Sequence, residues 1–338
     1  MRNKIYLAIV FLIVLLLPFL LGNAYYLNII ITFGIFSIFA LSLNFIVGYI
    51  GEVSFGHAAF FGLGAYMSTL LSTNFGLSYW FSIVIALLLT GFIGMCVGFL
   101  SLRLQGVHFA IITLAFAEVF RLIILNMTDI TRGAMGLSVS SPNLPFSNIT
   151  LTNPTIFYYF VFLMLLGVLY FIKFTLKTPF GRGIIAIREG NLLASSIGIH
   201  VSKYKIIAFT ISSIIAALAG ALYAPFVGII TPDLLSVHYT TEALLMVIVG
   251  GKGFLLGPLF GAFIFTVIPE FLWMTPEVQL LVFGVILILS ILFMPRGIVY
   301  FIHAWKNKSS KKQDVSVQPY SNDPQNSTKP MSNAVGED

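Results

Sequence analysis

Few residues in this chain have the types and spacing that chemistry needs. A phosphate-binding loop requires Gly-x-x-x-x-Gly-Lys-Ser/Thr, so that backbone amides and the lysine cradle the phosphates. The nearest stretch, Gly250-Gly251-Lys252-Gly253, lacks the upstream glycine and the hydroxyl. The five histidines (His57, His108, His200, His238 and His303) are scattered, with no pair at metal-ligand spacing. No Gly-x-Ser-x-Gly nucleophile elbow occurs. Three polar groupings remain. Asn44, Glu52, Ser54 and His57 gather around Gly48, Gly51 and Gly56; they read either as a gate or path lining, or as partners for backbone groups freed in a tight turn. Glu118 and Arg121, three residues apart on one helix face, read either as a structural ion pair or as part of a translocation path. The third is the stretch 173–205, where basic residues alternate with apolar ones.

The elements that must position these groups are membrane helices. Of the 338 residues, 58% are apolar and 9% charged, against about 45–50% and about 25% in an ordinary soluble domain. Mean hydropathy is +0.99. So few charges cannot cover a water-facing surface, which excludes a soluble, disordered or disulfide-stapled chain; the single Cys96 has no partner within it. A crossing takes about 20 apolar residues. Ten such runs predict an all-α polytopic fold, near 5–21, 27–48, 55–71, 79–100, 107–125, 156–172, 206–229, 241–250, 258–273 and 278–294. The eighth is too short to cross as a straight helix, so it extends into its neighbours or is broken. The unbroken run Leu12–Leu17 argues against the alternation of barrel strands.

Lys and Arg collect on the cytoplasmic side. With both termini cytoplasmic, all 18 except Arg121 and Arg132 fall on inner loops and tails. The first run reads as an uncleaved signal anchor, although Gly22 and Ala24 would also suit a cleavage site. Residues 126–155 read as an external loop. Residues 306–338 read as a disordered cytoplasmic tail after a transmembrane domain at 1–305; its lysines, Lys306 to Lys312, would lie near anionic lipid. A weak internal echo relates Val47-Gly48-Tyr49-Ile50-Gly51 to Val249-Gly250-Gly251-Lys252-Gly253, the kind of repeat that marks broken helices. Within 173–205, Thr178-Pro179 suits a helix start. Ile184, Ile187, Leu192 and Ala194 to Ile197 follow near helical spacing, with Arg182, Arg188 and Glu189 between them. Such an amphipathic segment needs a cover, either lipid headgroups or another protein.

Several stretches resemble one family: Leu43 to Tyr49, Ser54 to Tyr66, Gly106 to Glu118, Thr178-Pro179-Phe180-Gly181-Arg182, Ala186-Ile187-Arg188-Glu189 and Val249-Gly250-Gly251. They are similar to the LivM-type permease subunits of branched-chain amino acid ABC importers, in order, from about residue 40 to 300. Gly190-Asn191 departs from the family's usual continuation after Arg188-Glu189. The external Thr131-Arg132-Gly133-Ala134-Met135-Gly136-Leu137 matches only loosely, so no substrate contact is carried onto it.

The resemblance implies a permease of the bacterial or archaeal cytoplasmic membrane, not an enzyme, with no cofactor of its own and no nucleic-acid partner. Its implied partners are a LivH-type second permease, two cytoplasmic ATPase subunits that bind the ATP, and an extracytoplasmic substrate-binding protein. The coupling segment would include Gly181, Arg182, Ile184, Ile187, Arg188, Glu189, Leu192 and Gly198. Ile184, Ile187 and Leu192 would then be covered by an ATPase, with Arg182, Arg188 and Glu189 forming ion pairs at the rim. Asn44, Glu52, Ser54, His57 and Glu118 stand as candidate pathway or gate residues. Expected substrates are leucine, isoleucine and valine; urea, short amides or other amino acids are the alternative. An ion-coupled secondary transporter is the alternative from another class.

Overall fold

An unpaired backbone group in hydrocarbon costs several kcal/mol, so long apolar runs close their hydrogen bonds internally as helices. The computed structural model describes residues 17–18, 22–101, 104, 106–139, 153–271, 276–293 and 297. The helices are α1 (Ala24–Val47), α2 (His57–Thr73), α3 (Tyr79–Ser101), α4 (Val107–Asn126), α5 (Thr128–Thr131), α6 (Pro154–Lys177), α7 (Pro179–Glu189), α8 (Asn191–Ser196), α9 (Val201–Val227), α10 (Val237–Gly250), α11 (Gly257–Phe271) and α12 (Pro276–Phe293). The expected starts are visible in the caps. Asn23 Oδ1 accepts from Tyr25 N at 2.9 Å, and Asn153 Oδ1 accepts from Thr155 N at 3.0 Å ahead of Pro154. Thr178 Oγ1 accepts from Gly181 N at 3.2 Å.

By length and composition α1, α3, α4, α6 and α9 can each cross a membrane, with shorter apolar helices at Val237–Gly250, Gly257–Glu270 and Leu281–Ser290. The run expected at 241–250 begins earlier, at Val237, and remains short. The first expected run, 5–21, lies almost wholly outside the described residues, as does the tail 306–338; the chain divides after Phe301, and the second unit, Ile302–Asp338, contains that tail. The segment expected as an external loop is built over 127–139. It carries α5, a 3-10 turn at Gly133–Met135 and strand β1 (Leu137–Ser138), which pairs antiparallel with β2 (Ile229–Ile230). Thr131 holds this segment to the end of α4, its hydroxyl donating to Met127 O at 2.8 Å.

Burial ranks the helices. The apolar window of α1 is 83% buried and that of α9 61%, against 28% for α4. Central α1 packs on α6, α9, α10 and α11, while α9 packs on α1, α2 and α3. Small residues set how closely α2 and α9 approach. A Cβ on Gly220 would lie 1.8 Å from Phe61 O, and one on Gly64 would lie 2.2 Å from Ala217 O. Because lipid tails are as apolar as leucine, such close backbone packing contributes much of what holds the helices together. Gly220→Val is therefore expected to force α2 and α9 apart and cost about 3 kcal/mol. Thermal unfolding of the detergent-solubilised chain checks this; an unshifted midpoint would contradict the packing.

Candidate functional site

Two helix breaks lie against each other, and their backbone groups are met by side chains from helices distant in sequence. The first follows α1. Gly48 N and Gly51 N still donate back to Asn44 O at 2.8 Å and Ile46 O at 3.0 Å. Beyond Gly51, whose φ is +88°, the chain runs without regular structure to α2. There Phe55 N donates to Thr113 Oγ1 of α4 at 3.1 Å, and Ala58 N donates to Thr240 Oγ1 of α10 at 2.9 Å. The second break lies between α10 and α11. Asn44 reaches across to it: Oδ1 accepts from Gly253 N at 2.9 Å, and Nδ2 donates to Phe254 O at 3.0 Å. The two glycine stretches that echo each other in sequence are thus in contact. A Cβ on Gly48 would fall 2.5 Å from Gly253 N.

Glu52 and His57 are buried and engaged. Lys205 Nζ donates to Glu52 Oε1 at 2.5 Å, with side-chain exposures of 2% and 8%. Glu52 Oε2 accepts from Gly106 N, ahead of α4, at 3.2 Å. One carboxylate therefore joins the first break to α4 and α9. His57 is fully buried. Its Nε2 lies 2.6 Å from Ser212 Oγ, which itself donates to Ser42 O at 2.5 Å. With its proton spent there, Ser212 must accept from the histidine, which assigns the imidazole proton to Nε2. Nδ1 is left to accept from Ser54 Oγ at 3.3 Å. In this conformation Asn44, Glu52, Ser54 and His57 act as partners for broken backbone and for one another.

The amphipathic segment forms α7 and α8 at the same end of the bundle. Gly181 is buried where a Cβ would meet Thr175 O at 2.3 Å. Ile184 and Ile187, expected beneath a partner, are 0% and 2% exposed, buried by their own chain. The uncovered apolar surface lies one turn further on, at Leu192 (86% exposed), Leu193 and Ile197. The helical phase resets at Gly190, which separates the two helices and turns α8 outward. Arg182 and Glu189 are exposed, and Gly198 follows α8 with φ +86°. Arg188, expected at the rim, is exposed as well, and its Nη1 donates to Gly48 O at 2.8 Å.

Glu118 is remote from these breaks. Arg121 grips it from Nε and Nη2, the shortest contact being 2.6 Å, and the carboxylate side chain is 49% exposed on the outer face of α4. Sequence reasoning missed Lys205, Thr113, Thr240 and Ser212 as site residues. The apolar run predicts a span starting near 206, which leaves Lys205 just outside it. The observed start at Val201 puts it one turn inside α9. Hydroxyls on apolar helices carry no signal until the helix they serve is known.

A bundle of apolar helices, five of them long enough to cross a membrane among the described residues, is the architecture of a multi-pass membrane protein. The family model described as branched-chain amino acid transport system / permease component matches residues 25–291, and the chain belongs to that family. It is 32% identical to the high-affinity branched-chain amino acid transport system permease protein LivM of Escherichia coli, over 78% of this chain and 68% of that one. It is 26% identical to the probable LivM permease of Methanocaldococcus jannaschii, over 80% and 92%. Identity to the permease protein LivH of Salmonella typhimurium is 24%, over 78% and 91%. No solved structure matches the chain.

Removing one member of a buried ion pair leaves an uncompensated charge at a cost of about 3–5 kcal/mol. Glu52→Gln and Lys205→Met are each expected to destabilise by that amount. The double variant should lose clearly less than the two losses added. A double-mutant cycle on thermal unfolding measures the coupling; additive losses would show that the pair does not interact.

Proposed function

We propose that this chain forms half of the membrane core of an ATP-driven importer, moving leucine, isoleucine or valine inward across the cytoplasmic membrane with both termini in the cytoplasm. Its relatives carry branched-chain amino acid transport in their names, and its similarity to both LivM and LivH proteins supports a pseudo-symmetric pair of permeases. The chain has no phosphate-binding loop, so nucleotide chemistry belongs to partner ATPases. An extracytoplasmic binding protein delivers the substrate.

The observation that carries this reading is the exposed apolar turn of α8. Leu192, Leu193 and Ile197 stand uncovered beside Arg182 and Glu189, at the end of the bundle where Lys173, Lys177, Lys203 and Lys252 also lie. By the distribution of basic residues this end is cytoplasmic. An apolar knob with a charged rim suits a groove on a soluble ATPase. The ion-coupled alternative needs an acidic group free to change its partner; Glu52 is committed to Lys205 and Gly106. The α4 face that carries Glu118, Leu114 and Leu122 is exposed in the single chain. We assign it to the second permease and the substrate path.

Affinity purification of the tagged chain from its native membrane tests the assignment. The wild-type chain should recover two ATPase copies. Leu193→Asp should weaken their binding at least about tenfold, equivalent to 1.4 kcal/mol, while leaving the unfolding midpoint in place because Leu193 touches little of its own chain. Undiminished recovery would overturn the docking role. Uptake by vesicles that hold this chain alone with an ion gradient would overturn the ATP-driven reading.

A further inference from the structure

Arg188 sits where three segments meet. It lies in the last turn of α7 and is exposed overall, yet one guanidinium nitrogen reaches the turn that follows α1. Nη1 donates to Gly48 O at 2.8 Å. A Cβ on Gly253 would lie 2.6 Å from that same nitrogen and 3.0 Å from Gly48 O, and a Cβ on Gly51 would lie 3.4 Å from Arg188 Cγ. The arginine thus lies in a cradle whose walls are bare backbone from both glycine turns. Asn44 closes it from the other side, binding Gly253 N and Phe254 O while its Oδ1 lies 2.1 Å from where a Gly48 Cβ would be.

Among the described residues, this is the one side-chain hydrogen bond from α7 or α8 to another element. The turn it grips is a junction. Four residues beyond Gly48, Glu52 ties the same turn to Lys205 of α9 and to Gly106 before α4. Gly51 and Gly253 both hold positive φ, +88° and +81°, so each turn is a place where a small backbone rotation re-aims the helices on either side. A guanidinium suits the post: it is planar, permanently charged and carries several N–H donors in a fixed fork, so one can hold a backbone carbonyl while the residue stays exposed.

We propose that Arg188 is the positioning residue that passes movement of the α7–α8 hairpin to both glycine turns, and so to α1, α2, α10 and α11. This rests on the reading of that hairpin as the ATPase contact. Docking and transmission are divided between neighbours: Leu192, Leu193 and Ile197 face the partner, and Arg188 faces the pathway helices. Removing the guanidinium should leave the ATPases bound and hydrolysing while the permease fails to follow.

The test uses the full importer, with ATPases, second permease and binding protein, reconstituted in proteoliposomes and supplied with radiolabelled leucine. Wild type, Arg188→Met and Arg188→Lys are compared for ATPase recovered, ATP hydrolysed and leucine taken up. Arg188→Met keeps the apolar stem and removes the donor. It is expected to recover the ATPases in full and to lose at least tenfold in leucine moved per ATP. Arg188→Lys keeps one charged donor and should regain part of that ratio. An unchanged ratio in Arg188→Met overturns the proposal. So does a loss of recovered ATPase proportional to the loss of uptake, which would make Arg188 a docking residue. Should Arg188→Met fail to fold, Arg188→Lys decides: a several-fold fall in the ratio supports the role, and a wild-type ratio overturns it. A wild-type chain that recovers no ATPase sinks the coupling reading itself, whereas a working importer indifferent to Arg188→Met sinks only this proposal.

Discussion

Backbone that leaves a helix inside an apolar bundle must find hydrogen-bond partners there, and this requirement organises the rest of the structure. Between Val47 and His57, and again between Gly250 and Gly257, the helical ladder stops. The released groups that lie against the bundle cannot turn to water at low cost, so side chains reach in from elsewhere: Asn44 to Gly253 and Phe254, Thr113 to Phe55, Thr240 to Ala58. Each of these bonds also fixes a helix. Thr113 can serve Phe55 only if α4 lies against the first break, and Thr240 can serve Ala58 only if α10 does. Polar satisfaction and helix arrangement are one condition here.

That arrangement suits a machine with more than one state. A continuous helix moves as a rod, whereas a break held by side-chain bonds can exchange one set of partners for another at modest cost. Central α1 is attached to the first break at one end and is buried over most of its length, so displacement of that turn cannot be absorbed locally. The polar contacts are continuous from α7 through Arg188 to Gly48, and from the same turn through Glu52 to α4 and α9. These contacts link α7, α1, α4 and α9 through one turn in this conformation, which is the connection that the proposal for Arg188 rests on.

The apolar runs declared the helices, because hydrocarbon enforces helix wherever hydrophobicity persists. Thr178-Pro179 declared the start of α7, since a capping hydroxyl before proline leaves the chain little alternative. The glycine echo declared the two breaks but not their contact, which depends on α1 and α10 packing side by side. Burial within the hairpin was illegible for a related reason. Ile184, Ile187 and Leu192 share an apolar character, and only the reset at Gly190 sends the first two inward and the third outward. Lys205 shows the same limit from the other direction. A lysine at a predicted span edge reads as a topology marker, and its carboxylate partner, Glu52, is distant in sequence.

The accounting of polar groups also bears on where a zwitterionic substrate can be read. Asn44 uses both ends of its amide, Glu52 both oxygens, and His57 both ring nitrogens, so in this conformation these groups have little left to offer a ligand. Glu118 and Arg121 differ. Their charges pair with each other yet stand half open on a helix whose apolar window is mostly uncovered. A charged side chain facing lipid near the middle of a membrane helix costs about 2.5–3.5 kcal/mol even on the more lenient scale. A second protein surface, or a water-filled passage between two permeases, removes that cost. The polar residues deep in the bundle therefore hold the breaks, whereas the Glu118–Arg121 pair stands on an uncovered helix face, the one the proposed function gives to a second permease.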